Sequence, residues 1–388
     1  MIKNIFSSLV VAAVALILTS CQTLVQNNAY NSIRIGVILP LTGDYQDQAK
    51  EILNGIELAV EEINTKGGID NRPIALVKYN SKNDDDIAES LMRKSAAEDN
   101  VVAFIGGYSN SEVNRLACTA ENLKIPYVSP IGFFNSYGEY TFSTAPDSLQ
   151  QSGALIYYLY FVKKLKRIAI LIDQSGEETY KRELGMNCRN LLSHFTPEAA
   201  ITLMYQPEAE DFSSQIELLI RSDAEAVIIP SNAEHCMNFI RQARNNGYAG
   251  IIASFNQLDC ESFKMADDLR GDIYLCRNYS AIGNQSRMNQ KFIEAIKTNY
   301  DSEPTSLNAL GYDAIRLLAK GVQGNYTPDM INLKLQESPT YPSVCGSLLI
   351  NSKKRVLHPT YIYMKHGKSI RFVDTVSAYN LRKFSELK

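Results

Sequence analysis

The 388-residue sequence predicts an α/β protein with two doubly wound lobes, each built on a parallel sheet. Short apolar runs alternate along the chain with longer stretches that have the period of amphipathic helices. The apolar runs are continuous, which is typical of strands that helices cover on both faces. This alternation of strand and helix occurs twice, so we expect two lobes rather than one extended sheet.

The first lobe is predicted to begin at residue 33. Residues 33–39 (IRIGVIL) form an apolar strand, and residues 50–68 form an amphipathic helix that a Gly-Gly pair ends. An acidic triplet at 84–86 opens the next helix, where carboxylates stabilise the positive end of the helix dipole; we favour this over a cation site. The other elements predicted here are strands at 74–79, 101–105 and 125–129 and a helix that runs through Leu123.

The second lobe repeats the pattern. Beyond Arg277 the order changes, and alternating β-like segments near the carboxyl terminus are expected to return to a lobe already begun. The predicted helices lie at 147–163, 177–193, 212–221, 233–246, 286–299, 305–321 and 328–336, and the strands at 167–173, 199–205, 224–230 and directly after Gly250.

The amino terminus, MIKNIFSSLVVAAVALILTSC, is typical of a secretory signal. Its apolar run from Ile5 to Ile17 is shorter than the roughly 20 residues of a membrane-spanning helix. The tetrapeptide L-T-S-C at 18–21 resembles the lipobox of bacterial lipoproteins, which implies cleavage before Cys21 and acylation of that residue. We therefore expect a signal peptide at 1–20, a polar tether at 21–32, and a body held outside the cytoplasm on a bacterial membrane.

Composition excludes some classes of function and leaves others open. A formal net charge of −3 gives no reason to expect a nucleic-acid partner. Apart from Cys21, the six cysteines at 118, 188, 236, 260, 276 and 345 are widely spaced, and both buried thiols and one or two disulfides remain possible.

The motifs of common enzymes are missing. Residues 107–111 (GYSNS) lack the second glycine of a nucleophile elbow, and no lysine follows Gly107 as in a phosphate loop. The first strand leads into LPLTGDY rather than a dinucleotide-binding fingerprint. The four histidines show no zinc-site spacing. We expect no metal, no cofactor and no enzymatic activity.

Seven segments, taken together, are far more specific than any one motif. They are IRIGVILPLTGDY (33–45), GIELAVEEINTKGGIDNRPIALVKYNSKND (55–84), VVAFIGGYSNSEV (101–113), IPYVSP (125–130), FSTAPDSLQQ (142–151), FIRQARNNGY (239–248) and YDSEPTSLNALGYDAIRLLAKGV (300–322). In content and order they resemble the type I periplasmic solute-binding proteins of the leucine/isoleucine/valine-binding kind, which serve transporters and sensory receptors. The resemblance implies two lobes joined by a three-strand hinge that close on a ligand. We assign residues 33–145 with 280–340 to lobe 1 and 146–279 with 341–388 to lobe 2.

Candidate ligand-binding residues lie in the loops that follow the strands, because ligands of parallel sheets bind beyond the carboxyl ends of the strands. Gly106 and Gly107 would let the backbone approach a ligand, and the helix start after them would favour an anionic group. The resemblance implies that Tyr45 stacks on the ligand and that Ser109 and Asn110 stand at its paired hydroxyl positions. The full set is Tyr45, Ser109, Asn110, Ser111, Ile131, Phe133, Asn232 and Asn256.

The ligand is not expected to be a simple free α-amino acid. The resemblance places Ile131 and Phe133 where small or hydroxyl-bearing residues would hold an amino-acid backbone. Residues 253–259 (ASFNQLD) have no acidic side chain at the position that would meet an ammonium group. An amino-acid-like solute, or one that is less charged or partly apolar, is favoured.

The favoured function is that of a lipid-anchored, non-enzymatic solute-binding protein whose partner is a membrane permease or receptor. The alternative is a lipoprotein of the same fold that has lost small-molecule binding and acts as an interaction or scaffold module for cell-envelope proteins.

Overall fold

The computed structural model describes residues 32–132, 138–174, 180–195, 200–206, 209–337, 340–350 and 356–385. The predicted signal peptide, Cys21, the tether before Ser32, and Phe133 lie outside the described residues. Within the described ranges, no helix has both the length and the apolar character that crossing a membrane requires.

The first sheet contains five parallel strands. They are β1 (Ile33–Leu39), β2 (Ile74–Asn80), β3 (Ala103–Gly106), β4 (Tyr127–Ser129) and β5 (Thr141–Ser143), with the connecting helices α1 (Gln46–Thr65), α2 (Asp85–Glu98) and α3 (Asn110–Leu123). The strand order is β2-β1-β3-β4-β5. Asp84 caps α2, since its side chain accepts from the backbone N–H groups of Asp86 (3.0 Å) and Ile87 (2.9 Å), as the acidic triplet predicts.

The second sheet contains seven strands. They are β6 (Ile168–Asp173), β7 (Ala200–Tyr205), β8 (Ala226–Ile228), β9 (Ile251–Ser254), β10 (Ile273–Arg277), β14 (Thr360–His366) and β15 (Ser369–Val376). The order is β15-β14-β10-β9-β8-β6-β7. Its helices are α4 (Ser148–Ile156), α5 (Tyr180–Phe195), α6 (Ser213–Arg221), α7 (Ala233–Asn245) and α8 (Glu261–Met265). Between β10 and β14 in the chain, a separate small sheet contains β11 (Thr340–Tyr341), β12 (Leu348–Ile350) and β13 (Val356–Leu357).

The second sheet is parallel, as predicted, except where the carboxyl-terminal strands β14 and β15 join it. Strands β14 and β15 pair antiparallel with each other, and β14 pairs antiparallel with β10. A tight turn joins the two strands, with Gly367 in the left-handed region (φ 57), and strands joined so closely can only run in opposite directions. The expected return of the carboxyl-terminal segments to an existing lobe is confirmed by this pairing.

Three helices after β10 belong to the first lobe. They are α9 (Arg287–Tyr300), α10 (Ser306–Val322) and α11 (Pro328–Glu337). The last described helix of the protein is α12 (Ala378–Ser385). Buried residues of α9 and α10, such as Phe292 and Leu310, share one core with β1 and α1. The chain therefore crosses between the lobes after β5, after β10 and before β14, and the predicted two-lobe fold with a three-strand hinge is confirmed.

The lobe boundary near residue 340 differs in detail from the assignment made above. Tyr341, Val344, Cys345 and Leu348, which we assigned to lobe 2, pack in the core of lobe 1. The backbone N–H of Val344 donates to Asp313 of α10 (3.0 Å), which fixes this segment to the first lobe.

The predicted helix over 147–163 changes its geometry part-way. Helix α4 ends at Ile156, and residues Tyr157–Val162 form a π-helix. Tyr158 and Leu159 are buried there, whereas Phe161 is 43% exposed. The sequence left both free thiols and disulfides possible for the six cysteines after Cys21. In the structure all six are free thiols, and four of them are buried.

Candidate functional site

A cleft of about 420 Å³ lies where the carboxyl ends of strands from both sheets meet. The loops after β1, β3 and β4 form one wall, and residues that follow β9 and β10 form the other. The described residues that line it are Tyr45, Tyr108, Ser109, Asn110, Ile131, Gly132, Ala145, Pro146, Gln151, Tyr180, Asn256, Gln257, Asn278, Ser306, Leu307 and Leu310.

Two tyrosines form the aromatic part of the first wall. Tyr45 stands just before α1 and is 39% exposed, and its ring centroid lies 5.0 Å from that of Tyr108. The loop that carries Tyr45 turns at Gly43, whose φ of 92 favours glycine. Tyr45 thus has a surface open to the cleft, as the sequence predicts.

The Gly-Gly pair allows close packing at the end of β3. A Cβ on Gly106 would overlap the carbonyl oxygen of Ile38, so this glycine lets β3 and β1 approach. A Cβ on Gly107 would overlap the side chain of Val113. Both glycines are therefore needed to pack strand against strand and loop against helix, and their approach to a ligand stays a prediction.

Ser109 caps α3, and a buried carboxylate lies at the same helix start. The Ser109 hydroxyl accepts from the Glu112 N–H (3.3 Å), and Glu112 Oε2 accepts from the Tyr108 N–H (2.8 Å). Glu112 is fully buried, and burial raises its carboxyl pKa. The helix start that we expected to favour an anionic ligand group already holds this carboxylate of the protein.

The second wall consists mainly of side-chain amides. Gln151 lies on α4 and is 2% exposed, and Asn278 follows β10 and is 4% exposed. Asn256 and Gln257 lie in the short 3₁₀ turn after β9. Gln151 Nε2 donates to the Pro146 carbonyl (3.2 Å) and to the Tyr180 hydroxyl, so its amide is held in one orientation.

The eight residues predicted from the sequence do not all meet in the cleft. Tyr45, Ser109, Asn110, Ile131 and Asn256 line it. Ser111 lines a separate surface pocket together with Cys118. Asn232 caps α7 by accepting from the His235 N–H (2.8 Å) and is not among the cleft residues. Phe133 lies outside the described residues.

Sequence reasoning missed several residues of the site. Glu112 had a signal, since Ser109-x-x-Glu112 is the pattern of a capping box. Gln257 had the same signal as Asn256, since both follow the strand predicted after Gly250. Gln151 stands in an ordinary helical context, and Asn278 follows a strand that was not predicted. Across the described ranges, no group of three or more His, Cys, Asp or Glu side chains is placed to hold a metal ion.

Comparison with known proteins agrees with this architecture. A family model described as periplasmic binding protein matches residues 32–366. The chain belongs to the periplasmic binding protein family. Membership confirms the resemblance seen in the sequence. The family is one of solute-binding proteins rather than of enzymes, and membership implies an extracytoplasmic location. Two relatives of this protein come from Brucella. The Leu/Ile/Val-binding protein homolog 1 of Brucella abortus is 25% identical over 377 residues, which cover 94% of this chain and 96% of the relative. Homolog 7 of Brucella melitensis is 24% identical over 309 residues, which cover 72% of this chain and 73% of the relative.

Solved structures of periplasmic binding proteins share the fold. The leucine-binding protein LivK of Thermotoga maritima has a TM-score of 0.73 at 21% identity, covering 89% of this chain and 99% of its own. LivJ of Streptococcus pneumoniae, solved with isoleucine, has a TM-score of 0.72 at 19% identity over 89% and 99%. A solute-binding protein of an ABC transporter from R. palustris, solved with benzoate, has a TM-score of 0.69 at 16% identity over 89% and 98%.

Proposed function

We propose that this protein is a lipid-anchored, non-enzymatic solute-binding protein that captures a small molecule between its lobes and delivers it to a membrane transporter or receptor. The observation that carries the proposal is the cleft of about 420 Å³, to which both lobes contribute side chains. Its volume falls within the roughly 300–1,000 Å³ of small-molecule sites. Tyr45, Ser109, Asn110, Ile131 and Asn256 are the proposed ligand contacts.

Hinge closure is the signal that such a protein would transmit. Lobe 1 comprises residues 33–145 and 280–348 in this proposal, and lobe 2 the remainder of the body. A ligand that touches both walls binds the closed arrangement more tightly than the open one, so it shifts the population toward closure. Structures with the same fold have been solved with isoleucine in one case and benzoate in another, which supports a cleft that serves different small molecules in different proteins.

A ligand screen by thermal unfolding tests the proposal. The full-length protein in detergent is heated with single compounds drawn from amino acids, carboxylates, sugars, polyols and amides. A ligand present at one hundred times its Kd stabilises the native state by about 2.7 kcal/mol, which raises the unfolding midpoint by a few degrees. Small-angle scattering with the same compound should show a smaller radius of gyration.

Failure of every compound to raise the midpoint would contradict the proposal. The chain would then act as an interaction or scaffold module of the cell envelope. In that case, crosslinking in whole cells would be expected to capture cell-envelope proteins other than a permease.

A further inference from the structure

The described part of the cleft lining is electrically neutral. None of its lining residues within the described chain carries a formal charge. Nearby charges are engaged with the protein: Glu51 accepts from the Thr305 hydroxyl (2.8 Å), and Arg277 pairs with Asp259 (2.6 Å). A charged ligand group would therefore lose its hydration without gaining a counter-ion from these walls.

Glu112 makes the first wall unfavourable for a carboxylate. Its side chain is fully buried at the start of α3 and accepts from the Tyr108 N–H at 2.8 Å. An anion placed at this helix start would meet another carboxyl group instead of the open positive end of the helix. Among the described residues, the two ends of a zwitterion thus lack complementary groups on either wall.

The residues of the second wall contain hydrogen-bond acceptors that the protein does not use. The amide oxygens of Gln151, Asn256, Gln257 and Asn278 have no hydrogen-bond partner in the described structure. Gln151 and Asn278 are more than nine-tenths buried. A buried acceptor without a donor costs about 1–3 kcal/mol, so four of them around one cleft favour a bound molecule that supplies donors.

The opposite wall offers flat aromatic surface. The rings of Tyr45 and Tyr108 lie 5.0 Å apart and tilted by 39°, and Ile131 borders the same space. Such a wall packs well against C–H groups or a planar group of a ligand, while the amides bind its polar edge.

We propose that the ligand is an uncharged solute with several N–H or O–H donors, held by the amide oxygens of Gln151, Asn256, Gln257 and Asn278 against the tyrosine wall. Polyhydroxy compounds and small carboxamides share this chemistry. The proposal rests on the solute-binding function above and narrows its substrate class.

Calorimetric titration of the full-length protein in detergent tests the class directly. One panel contains sugars and polyols, a second contains primary amides and urea, and a third contains the twenty amino acids and benzoate. We expect binding in the first or the second panel, and the panel that contains the bound compound identifies the donor group of the ligand. Affinity should be nearly the same at 50 and 500 mM salt, because no ion pair forms with the ligand.

Variants that remove one acceptor locate the ligand. Gln257→Met keeps the length of the side chain and lacks the amide, and Asn278→Leu does the same at the deeper position. Each should weaken binding by roughly five- to 150-fold, since a ligand donor is left unpaired in the closed cleft. Gln290→Met, at an exposed glutamine on α9 outside the cleft, is the matched control and should bind as the wild type does.

The outcomes separate this inference from the general function. Micromolar binding of an amino acid or of benzoate, with loss at Tyr45→Ala, would overturn the uncharged class and leave solute binding intact. Binding of an uncharged compound that Gln257→Met and Asn278→Leu, both folded by circular dichroism, leave unchanged would also overturn it. No binding in any panel contradicts the solute-binding function itself.

Discussion

Two asparagines show how one residue type acquires different roles in this fold. Asn232 stands immediately before α7, and its side-chain oxygen accepts from the His235 N–H at 2.8 Å. Asn256 stands after β9, and its side-chain oxygen has no partner in the described structure. Both follow a strand, and sequence reasoning treated them alike. Only Asn256 faces the cleft, because the amide of Asn232 is used to begin a helix.

Tyr45→Ala separates binding from folding. Tyr45 is 39% exposed, so its loss should change the free energy of unfolding of the ligand-free protein by less than about 1 kcal/mol. A ligand found in the screen should bind roughly tenfold more weakly, because an aromatic contact of about 1.5 kcal/mol is lost. Urea unfolding and calorimetry measure the two quantities. Phe292→Ala, at a fully buried ring, is the contrast and should lose about 3–5 kcal/mol of stability.

Asp313 should make the stability depend on pH. Burial raises its carboxyl pKa to about 6, although Ser343 and the N–H groups of Val344 and Cys345 donate to it. The folded state holds the proton of Asp313 more tightly than the unfolded state does. The contribution of Asp313 to the free energy of unfolding is therefore full below pH 4 and is lost as the pH rises through 6. The stability of the wild type relative to Asp313→Asn should therefore fall by about 2–3 kcal/mol between pH 4 and pH 7.

The comparison with the variant is essential because a histidine opposes this effect. Burial lowers the pKa of His358 to about 4, so its contribution is full above pH 6.5 and is lost as the pH falls toward 4. The two slopes partly cancel in the wild-type curve. Urea unfolding of both proteins at several pH values isolates Asp313, and a difference that stays constant with pH would contradict its buried titration.

At the scale of elements, two glycines set the distance between α1 and α10. A Cβ on Gly55 would overlap the backbone oxygen of Asn308, and a Cβ on Gly311 would overlap that of Ile52. The two helix backbones are therefore in direct contact, and this contact attaches the helices after β10 to the first lobe. The sequence pattern predicts both helices but contains no sign of this contact.

Gly55→Ala and Gly311→Ala should each lose about 2 kcal/mol or more, since backbone atoms on both sides cannot move aside without separating the helices. Together they should lose less than the sum, because once the helices separate the second methyl group finds space. Gly67→Ala is the control: its φ is 98 but nothing lies near its Cβ position, so only about 1–2 kcal/mol of backbone strain is expected. Strictly additive losses would argue against a shared contact.

At the scale of the whole molecule, we predict that the body is held to the membrane through Cys21. The sequence L-T-S-C after an apolar run motivates this, and two or more acyl chains would anchor the protein firmly. Wild-type protein should incorporate labelled fatty acid and remain in the membrane fraction after a salt wash. Cys21→Ala should lose the label, and Cys118→Ala, at an exposed thiol, should keep it. Equal labelling of Cys21→Ala and wild type would show that the lipid is carried elsewhere.

The sequence by itself determined most of the elements and their order. Strands such as β1 and helices such as α10 (Ser306–Val322, predicted at 305–321) agree within a residue or two, because hydrophobic period and capping residues act locally. The two-lobe fold and the cleft position of Tyr45 also follow from the sequence, since ligands of parallel sheets lie beyond the carboxyl ends of the strands.

The tertiary structure alone decided which polar side chains face the cleft. Gln151 lies on α4 and Asn278 after β10, more than one hundred residues apart, and only the packing of α4 on the second sheet brings them together. The antiparallel pairing of β14 and the packing of Tyr341 with the first lobe likewise depend on partners distant in sequence. Local patterns report which face of an element is apolar, whereas the partner of a polar group depends on the folded chain around it.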